Sequence, residues 1–291
     1  MCLGLLQKTY TVGKDDPKRN KKARQVPYSV QAAVHLKNAT SAVFEHAKAH
    51  EMYAGENPAR YVRLPEMRRK QKHSLSHDQM NVLLDALPSP AAEMAHVSVL
   101  TSLNVAEICG LQWKDINLTN DWAVVDGEPI DPISILVVRQ WSTRKGGGAY
   151  HTLKAESRRR KEPIDAELAA VLRGVASRSK FAGLQDPVFA SSTGRPVDAH
   201  NIFNRALKPI GEKLGMPWLG WHVFRHTYTS WVRQEAASPA EQMAMLGHSD
   251  IRMTMHYGQQ DLDRRRAIVE QMSAKLTSKR TIAATVAGSV H

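Results

Sequence analysis

The chain has 291 residues, of which 42% are hydrophobic, so it is long enough for one large domain or two smaller ones. Lys and Arg number 40 against 28 Asp and Glu, and this net charge of +12 favours a polyanionic partner such as nucleic acid. Only two cysteines are present, Cys2 and Cys109, which excludes a disulfide framework. No apolar run reaches the roughly 18 residues of a membrane span, so we expect a cytoplasmic protein without membrane association.

The first third of the chain divides into three segments. Residues 1–27 are basic and include KDDPKRNKKAR, which predicts disorder or, alternatively, an arm that lies along a phosphate backbone. Residues 28–53 have helical spacing, and the residues predicted to face a core are Val30, Val34, Leu36, Val43 and Phe44. Residues 63–74 are basic and poor in apolar residues, which predicts an interdomain linker.

The rest of the chain mixes helical and strand patterns. Ser76 and Gln79 form a capping-box pattern ahead of an apolar run. The predicted helices cover 77–87, 91–112, 166–178 and 198–214; the predicted strands lie around 121–142, with a hairpin turn near 146–148. The predicted fold class is therefore mainly α with a small antiparallel β-sheet, in a domain that a short helical domain precedes.

The stretch GWHVFRHTYTSWV, residues 220–232, predicts a helix with two different sides. His222, Arg225, His226 and Thr229 recur at helical spacing on one side. Phe224, Tyr228, Trp231 and Val232 fall on the other side, where they can pack into a core. Two histidines four residues apart also suit zinc, but the zinc-protease pattern needs Glu where this chain has Val223, so we predict no metal site.

The next segment, EAASPAEQMAMLGHSDIRMTMHYGQQ, places further polar residues outside helix interiors. Ser238 and Glu241 predict a second capping box, and Gly247 is suited to end that helix. His248 then falls in a tight turn, and Tyr257 ends the following short helix. Each residue also has an ordinary interpretation: a solvated histidine, a surface arginine, or a tyrosine that only packs.

Taken together, HVFRHT, LGHS and the tyrosine at 257 resemble the tyrosine recombinases, the phage integrase family. TSLNVAEICGLQWKDINL, residues 101–118, is similar to the first motif of that family. HTLKAESRRRKEPI, residues 151–164, resembles the segment that carries its catalytic lysine, and ENPARYVRLPE resembles the end of its helical core-binding domain. The resemblance implies a partial core-binding domain and linker over 28–72 and a catalytic domain with a C-terminal tail over 73–291.

The resemblance implies roles for individual residues in cutting a DNA phosphodiester. Tyr257 is the expected nucleophile and forms a 3′-phosphotyrosine link. Arg225, His222 and His248 are expected to hold the phosphate oxygens, and His222 to assist deprotonation of the tyrosine. Lys154 is expected to protonate the leaving 5′ oxygen, with Glu107 in a supporting role. The basic residues of the same segment are predicted DNA contacts: Arg158, Arg159, Arg160 and Lys161. No cofactor is implied.

The chain departs from the family pattern in its first motif. Asn104 stands where a second phosphate-binding arginine is expected, and Ser102 replaces the usual glycine. Asparagine is neutral and too short to replace a guanidinium. Cleavage is then severely slowed, or another basic residue fills the space, or the protein binds DNA without cutting it.

The resemblance therefore predicts a site-specific recombinase that acts on double-stranded DNA as a homo-oligomer, a tetramer on paired sites. The alternatives are a catalytically impaired DNA-binding relative and a type IB topoisomerase, which shares the chemistry. Residues 260–277 predict a helix, which docks on a neighbouring subunit or packs on its own domain.

Overall fold

We describe the protein from a computed structural model, which covers residues 9–12, 24–66, 72–144, 147–153, 159–235 and 266–276. The chain forms two compact units, Met1–Gln71 and Lys72–His291. None of the helices in the described ranges has the length and the apolar character that crossing a membrane would need.

The first unit begins with a two-stranded antiparallel sheet. Strands β1 (Thr9–Val12) and β2 (Arg24–Pro27) pair along their whole length. Parts of the segment for which the sequence predicts disorder thus form paired strands. The charged run between the two strands lies outside the described residues.

Helix α1 (Val30–Ala49) and a short 3₁₀ helix (Pro58–Tyr61) form the rest of the first unit. The Ser29 side chain caps α1 by accepting from the amide of Ala32 at 3.1 Å. Asn57 is buried and donates to the carbonyl of Ser41 and to Glu45. The core of this unit is thin: Val43, predicted to face a core, is 67% exposed. That prediction is wrong: among the described elements, the short 3₁₀ helix packs most extensively against α1, and Val43 remains exposed.

Three helices open the second unit: α2 (His77–Ala86), α3 (Ala91–Thr101) and α4 (Val105–Gly110). The predicted capping box is confirmed, since Gln79 N donates to Ser76 Oγ at 3.2 Å and Ser76 N donates to Gln79 Oε1 at 2.9 Å. The predicted single helix over 91–112 is wrong. Ser102 adopts a left-handed conformation at φ 56°, and Asn104 caps a new helix two residues later.

Short antiparallel sheets follow these helices. Strands β3 (Ile116–Asn117), β6 (Ser134–Val137) and β9 (Arg160–Pro163) form a three-stranded sheet in the order β3-β6-β9. Two hairpins complete this layer: β4 (Ala123–Val125) with β5 (Glu128–Ile130), and β7 (Arg139–Arg144) with β8 (Gly147–Thr152). The predicted hairpin is formed by β7 and β8, but residues 147–148 of the predicted turn lie within β8. Residues 145–146 lie outside the described residues.

The later helices pack over the same core. They are α5 (Ala166–Arg178), α6 (Ala199–Ile202), a π-helical stretch (Phe203–Leu207), α7 (Lys208–Lys213), α8 (Trp221–Glu235) and α9 (266–276). The prediction for 166–178 is confirmed to the residue, and the predicted helix over 198–214 is the run from α6 to α7. The predicted fold class, mainly helical with small antiparallel sheets, is confirmed.

Helix α9 packs on its own unit, which is one of the two arrangements that its sequence allowed. Ile268, Val269 and Met272 are buried there. Asn81 Nδ2 donates to the carbonyl of Leu276 at 3.0 Å. At the other end of the helix, Arg266 donates to three backbone carbonyls, those of Pro132, Ile133 and Ile164.

Candidate active site

Helix α8 has the two sides that its spacing predicted. Phe224, Tyr228, Trp231 and Val232 are between 0% and 2% exposed, so they form the buried aromatic side. His222 is exposed, whereas Arg225, His226 and Thr229 are half-buried on the polar side. Thr229 Oγ1 donates to the carbonyl of Arg225 at 2.9 Å, which satisfies this hydroxyl within the helix.

Residues 75–77 form a short strap, a segment that packs against the buried side of α8, and the sequence did not predict these contacts. Leu75 N donates to Thr227 Oγ1 at 2.9 Å, and Trp231 Nε1 donates to the carbonyl of Leu75 at 3.1 Å. The ring of His77 stacks on Trp231 with the ring centroids 3.9 Å apart. The residues after the predicted linker are therefore packed against the helix. The paired His and Trp residues give no local pattern that would indicate these contacts.

Arg225 connects α8 to the first motif. Its Nη1 atom donates to the carbonyl of Ser102 at 2.8 Å. Ser102 ends α3 in the left-handed region that favours glycine, which explains why a glycine suits this position. The 101–118 motif and the 220–232 stretch thus meet in space, although they are far apart in the chain.

Asn104 faces its own helix. Its side-chain oxygen accepts from the amides of Ala106 at 2.9 Å and Glu107 at 3.0 Å. In return, Asn104 N donates to Glu107 Oε2 at 3.1 Å, which completes a capping box at the start of α4. Asparagine is among the best N-cap residues, so the neutral residue at this position has a local structural use.

Glu107 is buried and paired with Arg160. Arg160 Nη2 lies 3.0 Å from Glu107 Oε2, and Arg160 Nε lies 2.7 Å from Glu162 Oε1. Burial lowers the pKa of the Arg160 guanidinium, but the carboxylates of Glu162 and Glu107 together outweigh burial and raise it. The guanidinium therefore stays charged, and it faces two carboxylates inside the protein.

Arg159 and Lys161, the neighbours of Arg160 among the predicted DNA contacts, are each paired with a carboxylate. Arg159 pairs with Glu128 at 2.7 Å, and Lys161 pairs with Asp131 at 2.8 Å. The Lys161 ammonium also lies 5.6 Å from the centroid of the Trp122 ring. The side chains of Arg159 and Lys161 are 38% and 35% exposed, which leaves both cations accessible to a polyanion. Their contact with DNA stays a prediction.

Four predicted site residues lie outside the described residues: Lys154, Arg158, His248 and Tyr257. The roles expected for them stay predictions. The Ser238 capping box and the Gly247 turn lie in the same part of the chain. Among the described residues, no group of three or more His, Cys, Asp or Glu side chains is arranged to hold a metal ion.

His226 lies in a cationic environment beside Arg225. Burial lowers its pKa below the ordinary value of 6.5, and Lys72, His222 and Arg225 lower it further. The lowered pKa favours the neutral form of the ring.

Cys109 is buried in α4, and burial raises the pKa of its thiol to about 12, so it is an inert packing residue as its apolar surroundings predicted.

The sequence of the second unit matches a known family. The profile of the Phage integrase family matches residues 73–264. That match covers more than half of the chain and includes both the 101–118 motif and the 220–232 stretch. The chain therefore belongs to the phage integrase family, the tyrosine recombinases.

Individual relatives are distant. The chain is 25% identical over 172 residues to the integrase of Staphylococcus phage L54a, which covers 56% of this chain and 46% of that one. It is 24% identical over 215 residues to the tyrosine recombinase XerC of Xylella fastidiosa, with 69% and 60% of the two chains covered. It is 26% identical over 242 residues to the integrase of Mycobacterium phage L5, with 82% and 62% covered. The chain thus spans about half to two thirds of these relatives.

A solved structure has the same fold. The Tn1549 transposon integrase, determined in complex with transposon right end DNA, superposes with a TM-score of 0.63 and 21% sequence identity. The superposition covers 85% of this chain and 81% of that chain. At this level of identity the likeness establishes the fold.

Proposed function

We propose that this protein is a site-specific DNA recombinase of the integrase type, which cleaves and rejoins DNA strands through a covalent 3′-phosphotyrosine intermediate. The observation that carries the proposal is the hydrogen bond from Arg225 to the Ser102 carbonyl, 2.8 Å long. It brings a half-buried guanidinium, on the polar side of a firmly anchored helix, against the first family motif. A guanidinium in that setting is suited to bind two oxygens of one phosphate.

The chemistry requires charge neutralisation, an aligned nucleophile and a proton for the leaving oxygen. In our proposal Arg225 holds two non-bridging oxygens, and His222 and His248 donate hydrogen bonds to the same phosphate. Tyr257 attacks phosphorus and forms the 3′-phosphotyrosine, while Lys154 gives a proton to the departing 5′ oxygen. The covalent link conserves the phosphodiester, so rejoining needs neither ATP nor another cofactor.

Double-stranded DNA is the proposed partner. The formal net charge of +12 supports this, as do the accessible cations Arg159 and Lys161. Arg159 is paired with the exposed carboxylate of Glu128, and an exposed ion pair contributes at most about 1 kcal/mol, so a DNA phosphate can displace that carboxylate. The Asp131 carboxylate that pairs with Lys161 is buried. Arg158 belongs to the same basic run. A homo-tetramer on paired DNA sites and a cytoplasmic location are further parts of the proposal.

Asn104 favours a second candidate, a catalytically impaired DNA-binding relative. We propose that position 104 lacks the second phosphate-binding arginine of the family. The Asn104 side-chain oxygen accepts from two backbone amides and the side chain carries no charge, so it supplies no positive charge to a phosphate. The loss of one such group slows related reactions by about 10²–10³-fold. The recombinase and the impaired binder therefore differ in rate, and both bind DNA.

Covalent trapping separates these candidates. The probe is a pool of nicked duplexes with randomised sequence around the nick, which releases the 5′ end after cleavage and traps the protein on DNA. We expect an adduct that survives denaturant with the wild-type protein and none with Tyr257→Phe, whose DNA binding is unchanged. DNA binding without any adduct at high protein concentration would instead support the impaired relative.

Plasmid relaxation tests the remaining alternative. A type IB topoisomerase would relax supercoiled plasmid of any sequence, whereas a site-specific recombinase cleaves only sequences that the trapping experiment enriches. We expect no relaxation of plasmids that lack such sequences. Relaxation that is independent of sequence and absent from Tyr257→Phe would favour the topoisomerase.

A further inference from the structure

Arg160 lies at a junction between β9 and α4. Its guanidinium is 16% exposed, and it spans Glu162 on its own strand and Glu107 on the helix, at 2.7 and 3.0 Å. Both carboxylates are 2% exposed. An arginine buried between two carboxylates is a strong restraint, because its planar fork fixes the direction of each hydrogen bond.

The Glu107 carboxylate passes this restraint to the segment before α4. Glu107 Oε2, which accepts from Arg160, also accepts from Asn104 N at 3.1 Å. Asn104 in turn bonds back to the Glu107 amide through its side chain. Arg160 therefore fixes the capping box at the start of α4, and with it the path of the chain through 102–104.

That segment provides the acceptor for Arg225. The carbonyl of Ser102, two residues before Asn104, accepts from Arg225 Nη1 at 2.8 Å. Contacts thus run without a gap from Glu162 through Arg160, Glu107 and the 102–104 backbone to Arg225. A shift of the Ser102 carbonyl would rotate or release the guanidinium that the proposed reaction uses.

We propose that Arg160 is a positioning residue for Arg225, acting through Glu107 and the 102–104 segment. The inference rests on the proposed function, because it assigns Arg160 a part in preparing the same phosphate site. It differs from the sequence-based prediction, in which Arg160 contacts DNA directly. The burial of the Arg160 side chain and its two carboxylate partners favour the internal role.

The test is Arg160→Lys, which keeps the positive charge and removes the fork. The matched control is Arg139→Lys, since Arg139 pairs with Asp115 in a similarly buried ion pair, with the two side chains 20% and 5% exposed. Single-turnover adduct formation at saturating nicked DNA is compared with DNA affinity and with the urea midpoint of unfolding.

We expect Arg160→Lys to slow adduct formation about 10–100-fold, because small displacements of a phosphate-binding group have effects of that size. DNA affinity should stay within about twofold. Arg139→Lys should lower the urea midpoint by a similar amount and leave the rate per folded molecule unchanged. Two results overturn the proposal: equal effects of both substitutions on the rate, or a loss of DNA affinity that accounts for the slower reaction.

A second variant, Glu107→Gln, tests the same proposal without relying on Arg160→Lys alone. Glu107→Gln interrupts the same connection, so adding Arg160→Lys to it should slow the reaction no further. Full additivity of the two effects on the rate would show that Arg160 does not act through Glu107.

A double-mutant cycle measured by urea unfolding tests the inference independently of the proposed reaction. If the wild-type protein gives no more adduct than Tyr257→Phe, the recombinase proposal fails, and the cycle between Arg160→Lys and Arg225→Lys decides the inference. Non-additive shifts of the urea midpoint support the coupling of these two residues, and additive shifts overturn it.

Discussion

The two sides of the candidate site differ in what their residues do. On α8, the buried side anchors the helix and the polar side carries His222 and Arg225: Phe224 is 0% exposed, whereas His222 is exposed. On the 102–107 segment, by contrast, Asn104 stabilises its own helix, since its side-chain oxygen accepts hydrogen bonds from two amides of that helix.

The difference shows that a charged side chain competes with a stabilising one for the same position at a helix end, but not in the middle of a helix, where the two can occupy opposite faces. A helix in the middle of its length can bury one face and present the other. A helix N-terminus has unpaired amides that a side chain must satisfy, and a neutral cap does this better than an arginine. The polar side of α8 therefore carries the Arg225 guanidinium, whereas the start of α4 carries a neutral capping residue.

The largest effect is expected on the buried side of α8. Phe224→Ala leaves a cavity in a fully buried position, so we expect the free energy of unfolding to fall by about 3–5 kcal/mol, as measured by urea denaturation. His222→Ala, at an exposed position of the same helix, should change it by less than about 0.5 kcal/mol. Similar losses in both variants would mean that α8 has no distinct anchoring side.

The polar side should govern the reaction instead. Arg225→Ala removes the guanidinium proposed to hold the phosphate, and we expect adduct formation to fall about 10²–10³-fold. Arg225→Lys keeps the charge without the fork and should recover only part of the rate. The measurement is adduct yield on nicked DNA over time. An Arg225→Ala protein as active as the wild type would remove Arg225 from the site.

The start of α4 should respond in the opposite direction. Asn104→Arg introduces a guanidinium and removes the cap, so we expect adduct formation to rise at least about tenfold and the free energy of unfolding to fall by about 1 kcal/mol. Asn104→Asp keeps a capping oxygen and adds no positive charge, so it should be stable and no faster. If Asn104→Arg leaves the rate unchanged while it binds DNA, another group already supplies the charge.

The smallest effect concerns His226. Its pKa is lowered in the folded protein, so the unfolded chain binds a proton first as the pH falls below 6.5. The neutral ring therefore contributes stability above that pH, and the contribution is lost as the pH falls towards the folded pKa. We expect His226→Gln to show a shallower loss of stability below pH 6.5 than the wild type, by urea denaturation at several pH values. A steeper loss would contradict the assignment of a neutral ring.

Patterns that depend on neighbouring residues were predicted well. The capping box at Ser76, the helix over 166–178 and the two sides of α8 all follow from short-range backbone geometry. The break at 102–104 was missed because TSLNVAEICGL continues the apolar spacing of the preceding helix. Only the left-handed Ser102 and the cap at Asn104 reveal it.

Contacts between distant segments were not predictable in the same way. The strap from Leu75 to Trp231 joins positions 156 residues apart, and the Arg160 pair with Glu107 joins positions 53 apart. Arg160 belongs to a run of basic residues that all have the same sequence signal, yet burial separates it from Arg159. No local pattern distinguishes these two residues.

The sequence alone determined the helical spacing of this protein, its family motifs and the neutral residue at position 104, because each is written in residues close together in the chain. The tertiary structure decided which groups meet: Arg225 with the Ser102 carbonyl, Arg160 with Glu107, and α9 with its own unit. These pairings depend on how separate elements pack over one core. Packing buries the ion pair of Arg160, whereas the ion pair of its neighbour Arg159 stays at the surface.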